Sequence, residues 1–296
     1  MRRHVRPVAR EDLLKEKLDA LVATFDVSTI TPDPLELVLA QRADADREIA
    51  ALLAAAFAYG RAGIVVANVG GVLAKMQPSP SAWLASMLRG GRFDRRGAAR
   101  TFAGFRHRFH KTLDLVALLE RIALAVSAHG SLGSLFRSVY DEADEDIGPS
   151  LARFARALLS IEGAGRAPRS LPYLLTSPED GSACKRMNLF LRWMVRRKEP
   201  DLGLWDFVDP AKLIVPLDTH VYRIATFLGL NERRSPDWKA AKGITARLAR
   251  FDPADPVRYD FAICRLGILD LCSRKRKKEQ CDVCLLRDVC RFPVTR

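Results

Sequence analysis

Four cysteines spaced Cys272-x8-Cys281-x2-Cys284-x5-Cys290 crowd into the last 25 residues of a 296-residue chain that holds six in all. A two-residue gap lets one tight turn aim two thiolates at a common centre, and the outer pair can then close a four-thiolate site. Four such sulfurs suit either tetrahedral zinc or a cubane iron–sulfur cluster, and the residues alone leave both open. Between the first two cysteines run Arg274, Lys275, Arg276, Lys277 and Lys278. Like charges in succession repel one another. Pinned at both ends to a metal centre, they become a rigid polycation whose natural counterpart is a row of phosphates. The other two cysteines read as packing residues: Cys264 shares an apolar helical stripe with Phe261 and Leu266, and Cys184 stands beside a lysine.

The formal net charge of +13 and the pI of about 9.8 point the same way, towards a polyanionic partner. A second basic stretch, Arg89 to Lys111, interleaves eight arginines and lysines with Phe93, Phe102, Phe105 and Phe109. It is either a solvated basic face or a phosphate-contacting surface. No stretch approaches the ~20 apolar residues that a membrane helix needs; the longest apolar run is Ala51 to Tyr59. The basic start leads into the polar Glu11-Asp-Leu-Leu-Lys rather than into an apolar leader segment. A cytoplasmic, nucleoid-associated protein with no membrane partner is expected, and cysteines there stay out of disulfides.

Helical periodicity dominates the chain. Leu13, Leu14, Leu18 and Leu21 share one face of a first helix, and Asp46 to Val66 reads as a second, alanine-rich one. Further helical patterns cover Ser81–Leu88, Thr112–Ala128, Leu132–Asp141, Ser150–Leu159, Cys184–Arg197, Thr219–Leu228, Trp238–Arg250 and Arg258–Cys272. Proline and glycine clusters at Thr31-Pro-Asp-Pro, Gln77-Pro-Ser-Pro, Gly163-Ala-Gly and Asp252-Pro-Ala-Asp-Pro separate them. No alternating pattern announces a hairpin of strands. The expected class is all-α.

Two charged residues stand at helix starts. In Ile214-Val-Pro-Leu-Asp218-Thr-His-Val-Tyr-Arg223, Asp218 precedes the helical face Val221, Ile224, Ala225 and Leu228. Its carboxylate suits an N-cap that accepts hydrogen bonds from first-turn amides. Lys185 opens the apolar helix that holds Leu189, Phe190, Leu191, Trp193 and Met194. At a helix N-terminus the dipole disfavours an ammonium and so helps to supply a neutral amine, the form that makes Schiff bases.

Together these features resemble the helix-hairpin-helix DNA glycosylase superfamily. The cysteine spacing after an apolar helix is similar to the cluster loop of endonuclease III-type enzymes, two residues longer in its first gap. The Leu-Asp218-Thr-His220 run with Arg223 resembles the family's Val-Asp-Thr-His motif. Leu175-Thr-Ser-Pro178-Glu179-Asp-Gly181 stands where the family has its hairpin, and the distance from Lys185 to Asp218 resembles the archaeal 8-oxoguanine glycosylase branch. Asp46 to Arg61 looks like the first barrel helix and turn of an uncharacterised bacterial branch.

The resemblance implies a two-lobed, all-α fold. A helical barrel lobe with a degenerate hairpin, residues 41–199, would face a second lobe made of 1–40 plus 200–296. It implies a [4Fe–4S] cluster, rather than zinc, on Cys272, Cys281, Cys284 and Cys290. Arg274, Lys275, Arg276, Lys277, Lys278 and Arg61 would then touch DNA, with Arg61 or Tyr59 filling the gap left by a flipped base. Asp218 would face the sugar of that base and Lys185 would be the nucleophile. The implied activity is base-excision glycosylase with abasic-site lyase activity. A monomer would act on double-stranded DNA carrying a damaged base or an abasic site. The alternative is a nucleic-acid-binding protein that keeps the fold and metal site without the chemistry.

Overall fold

The computed structural model describes residues 7–275 and 277–292, and for residues 7–9 the backbone alone. The fold is mostly helical, as expected. The first half holds α1 (Pro7–Thr24), α2 (Leu35–Leu39), α3 (Asp44–Ala56), α4 (Ala62–Lys75), α5 (Pro80–Ser86), α6 (Arg95–Thr101) and α7 (Thr112–His129). The second holds α8 (Leu132–Val139), α9 (Gly148–Leu159), α10 (Leu171–Leu174), α11 (Lys185–Val195), α12 (Thr219–Leu228), α13 (Trp238–Leu248), α14 (Asp260–Ile268) and α15 (Lys278–Asp282). Helix starts follow local chemistry. Ser79, Asp94, Ser131 and Asp237 each accept a hydrogen bond from a first-turn amide, a contribution of about 1 kcal/mol apiece.

The run Asp46–Val66 is two helices rather than one. α3 ends at Ala56, and Gly60, at φ +97°, turns the chain before α4 begins. Only glycine enters that region without a steric penalty. Every residue from Asp46 to Ala56 except Arg47 is buried, because α3 lies at the centre of the molecule against α2, α4, α5, α8 and α11. A helix enclosed on all sides shows no polar stripe to mark its end.

Two small hairpins also depart from the expectation. β1 (Leu88–Arg89) pairs antiparallel with β2 (Arg92–Phe93) through Gly90-Gly91, both at positive φ. β3 (Arg106–His107) pairs with β4 (His110–Lys111) through Arg108-Phe109, with Arg108 itself at φ +55°. Gly-Gly is a hairpin turn signal, but two-residue strands offer no alternation to read.

Buried apolar side chains form one cluster that runs from Leu14 to Val289. Trp205 stacks on Phe136 and meets Phe190 edge-on, with centroids 5.0 and 5.2 Å apart. The indole Nε1 donates to Glu48 of α3 at 2.7 Å, and the amide of Leu132 donates to the same carboxylate at 2.9 Å. Glu48 thus answers the free amides at the start of α8. The N-terminal helix α1 packs on α14 and on the short turns Pro256–Tyr259 and Arg287–Val289. Among the described residues no single helix is long and apolar enough to cross a membrane.

Candidate functional site

Asp218 follows the buried, extended segment 213–217 and caps α12. Its Oδ1 accepts from the amides of His220 and Val221, both at 2.8 Å. The other oxygen, Oδ2, accepts the thiol of Cys264 at 3.4 Å. Half of the carboxylate therefore caps a helix, and the residue also lines a cavity.

Lys185 is the first residue of α11. The preceding Cys184 is held in the left-handed region at φ +47°, a conformation that costs a non-glycine residue on the order of 1 kcal/mol. The ammonium of Lys185 donates to the carbonyl of Ala58 at 2.9 Å, and Arg186 donates to that of Ala56 at 3.3 Å. Both cations thus satisfy carbonyls left free where α3 ends.

Lys185 and Asp218 line one cavity of about 410 Å³. Five parts of the chain build it: the Asp33 turn, the α3–α4 turn with Gly60 and Arg61, one face of α11 from Lys185 to Arg192, the start of α12, and α14. Its size lies within the range of small-ligand pockets. Sequence reasoning missed Asp33, Asp260 and Cys264 in its wall, and Arg265 behind it. Arg265, buried on α14, donates to the carbonyls of Ile30, Thr31 and Pro32 and so fixes the turn that carries Asp33. Burial raises the Asp33 carboxyl above the ordinary range, opposed by the amide of Leu35 and by Arg192 and Lys185. Asp260 is pushed up to about 6 by burial, against the pull of its partner Arg192. Cys264, read as core, lines the cavity; burial first, then Asp218 and Asp260, raise its pKa so that it stays a thiol. No local pattern marks these positions, because each is brought in by tertiary packing.

His220 closes one wall. Burial lowers its pKa, and Asp218, Arg223, Arg274 and Lys185 all act on the ring electrostatically. Arg274 of the basic loop between the cysteines thus bears electrostatically on the His220 ring, while the described residues that line the cavity include none from that loop. Arg61 is exposed and lines the cavity. Tyr59 points away from it: its hydroxyl meets His110 and the carbonyl of His107.

The four cysteines of the C-terminal quartet line a second cavity, with Leu271 and Phe292. They surround it without converging tightly, and among the described residues no group of three His, Cys, Asp or Glu side chains is placed to hold a single metal ion. Burial raises the thiol pKa of Cys272 and Cys284. The loop is docked on α12 through Arg223, which donates to the Cys272 carbonyl, and through the amide of Arg291, which donates to Phe227 at 2.6 Å. Within it Ser273 and Gln280 are bonded at 2.8 Å. Arg274, Lys275, Lys277 and Lys278 are all exposed. Arg276 lies outside the described residues.

A family model matches residues 33–269, which include Asp33, Lys185, Asp218 and Cys264. The chain belongs to the DUF2400 family of proteins of unknown function. Neither a curated protein nor a solved structure matched it. This assignment overturns the resemblance to helix-hairpin-helix DNA glycosylases, for which no family match was found. The turn before α11 accords with the correction. It contains a 3-10 turn, Pro178–Asp180, and Glu179 is paired with Arg156 at 2.6 Å. A carboxylate there repels the phosphate that a glycine hairpin would grip. The cysteine quartet lies beyond the segment that defines the DUF2400 match.

Proposed function

We propose that this DUF2400 protein acts on DNA, cleaving the N-glycosidic bond of a modified base and processing the abasic site that results. The observation that supports the reading is that Lys185 and Asp218 line one cavity together with the exposed Arg61. Loss of a base leaves positive charge on the sugar, and a fixed carboxylate stabilises it. The Lys185 amine, once its ammonium has given a proton to solvent, attacks C1′ and the base departs with its bonding pair and one of the two amine protons; the C1′–O4′ bond then opens, its oxygen taking the other proton, and an imine remains. A base must leave the duplex to enter such a cavity.

Cys272, Cys281, Cys284 and Cys290 would hold an iron–sulfur cluster. Such a cluster would serve as a staple that fixes the cationic loop; it would supply no step of the reaction.

The test is a set of duplexes, each with one oxidised, deaminated or alkylated base, scored for alkali-labile strand breaks. Cleavage of at least one duplex by the wild type, and its loss in Asp218→Asn, is expected. Binding without cleavage of any duplex would reduce the protein to a nucleic-acid binder.

A further inference from the structure

The β3–β4 hairpin carries a feature that the cavity does not use. Its two histidines face inward and are buried. His107 bonds the carbonyl of Tyr59 at 3.0 Å and Asn68 at 2.9 Å, while His110 meets the Tyr59 hydroxyl and the carbonyl of Ser170. Between them, Arg108 adopts its left-handed conformation and Phe109 is turned outward, 54% exposed. One side of the Phe109 ring rests on His110, with centroids 4.5 Å apart and planes 36° from parallel. Tyr173, 45% exposed, stands edge-on at 5.0 Å, and the Arg186 guanidinium supports it 4.1 Å from its ring centre. These are large apolar rings held rigidly in water.

The surroundings are cationic. Arg106, Arg108 and Lys111 are exposed, and no carboxylate pairs with them among the described residues. The patch also adjoins the candidate site. The Arg108 side chain lies 3.5 Å from where a Cβ on Gly60 would be, and Gly60 lines the cavity. A surface for another protein's apolar face would not be ringed by unpaired cations. Rings with an open face beside free cations fit a strand of unpaired nucleotides, whose bases stack while its phosphates are neutralised.

We propose that Phe109 and Tyr173 form a stacking platform for unpaired bases of a nucleic-acid strand at the edge of the cavity, with Arg106, Arg108 and Lys111 on its phosphates. The proposal rests on the nucleic-acid part of the reading above and not on its chemistry, so binding alone tests it.

Fluorescence anisotropy with a labelled single-stranded oligonucleotide, and with the duplex of the same sequence, separates the outcomes. Phe109→Leu should weaken binding of the single strand by about tenfold, leave its salt dependence unchanged, and alter duplex binding far less. Phe109→Trp should restore it. Replacing Arg106 and Lys111 by Gln should instead flatten the salt dependence, by a slope of roughly 0.7 for each phosphate no longer neutralised. Because Phe109 is exposed, thermal unfolding of the variants should match the wild type. Wild-type affinity of Phe109→Leu for the single strand overturns the proposal. So does an equal loss on both nucleic acids, and so does binding to anionic phospholipid vesicles but not to the oligonucleotide.

Discussion

Arg223 donates from its guanidinium to the carbonyl of Cys272, so the helix capped by Asp218 also holds the first cysteine of the quartet. The cavity and the cationic loop are thereby one mechanical unit. A hydrogen bond from a charged group contributes about 1.5–3 kcal/mol, enough to decide whether a short loop stays seated. On the proposal that the quartet holds an iron–sulfur cluster, Arg223→Met should leave the helical core folded yet lower the iron retained after anaerobic purification several-fold. Full iron retention in the variant would break this link, and zinc without iron in the wild type would contradict the cluster.

The ring of His220 occupies the space beside Gly267: a Cβ placed there would lie 2.2 Å from Nδ1. Gly267→Ala should therefore destabilise the protein by about 1–3 kcal/mol, the usual cost of overpacking. Adding His220→Ala to the same chain should recover most of that loss. Urea unfolding of the two single variants and the double variant reads the coupling. Additive losses would mean that the ring and the glycine are not in contact.

Asp201 is buried between two arginines, bonding Arg192 at 3.1 Å and also Arg196. Arg192 continues to Asp260 and Arg196 to Asp255. Removing one member strands the others' charge away from water, which costs about 3–5 kcal/mol. Asp201→Leu should lose that much stability in denaturant unfolding, and a loss below about 1 kcal/mol would show the network relaxing into solvent.

Asp260 supplies a pH signature. Its pKa is raised from the ordinary aspartate value to about 6, so the folded state holds the proton more tightly than the unfolded chain. Its contribution to stability is therefore fully present below the unfolded pKa and is lost as pH rises through about 6. The unfolding free energy of the wild type should fall across that window relative to Asp260→Asn. Parallel pH profiles for the two proteins would refute the assignment.

The parts of this molecule that were legible in the sequence are those with a local physical cause. Asp218 could be placed as a cap because capping needs only a carboxylate ahead of a helical face. The boundaries of α12 follow from its apolar stripe of Val221, Ile224, Ala225 and Leu228. The break at Gly60 was hidden because α3 is enclosed on every side. The Asp33 turn showed only as a proline cluster, since Arg265, which fixes it, lies far along the chain. Cys264 looked like core because its neighbours Phe261 and Leu266 are core; only the fold reveals that its sulfur reaches Asp218. Family membership, too, was not decided by motifs of a few residues. The aspartate and cysteine spacings resembled the helix-hairpin-helix glycosylases, whereas the match over residues 33–269 is to the DUF2400 family.

Lys185 and Asp218, on the function proposed for them, act together on the sugar of a nucleic acid. Borohydride trapping on a duplex with one abasic site tests this most directly, because an imine between enzyme and C1′ is reduced to a stable bond. A covalent adduct is expected with the wild type, absent in Lys185→Ala and retained in Lys198→Ala, a variant of a lysine outside the cavity. No adduct with the wild type, or one that survives Lys185→Ala, would contradict the proposed chemistry.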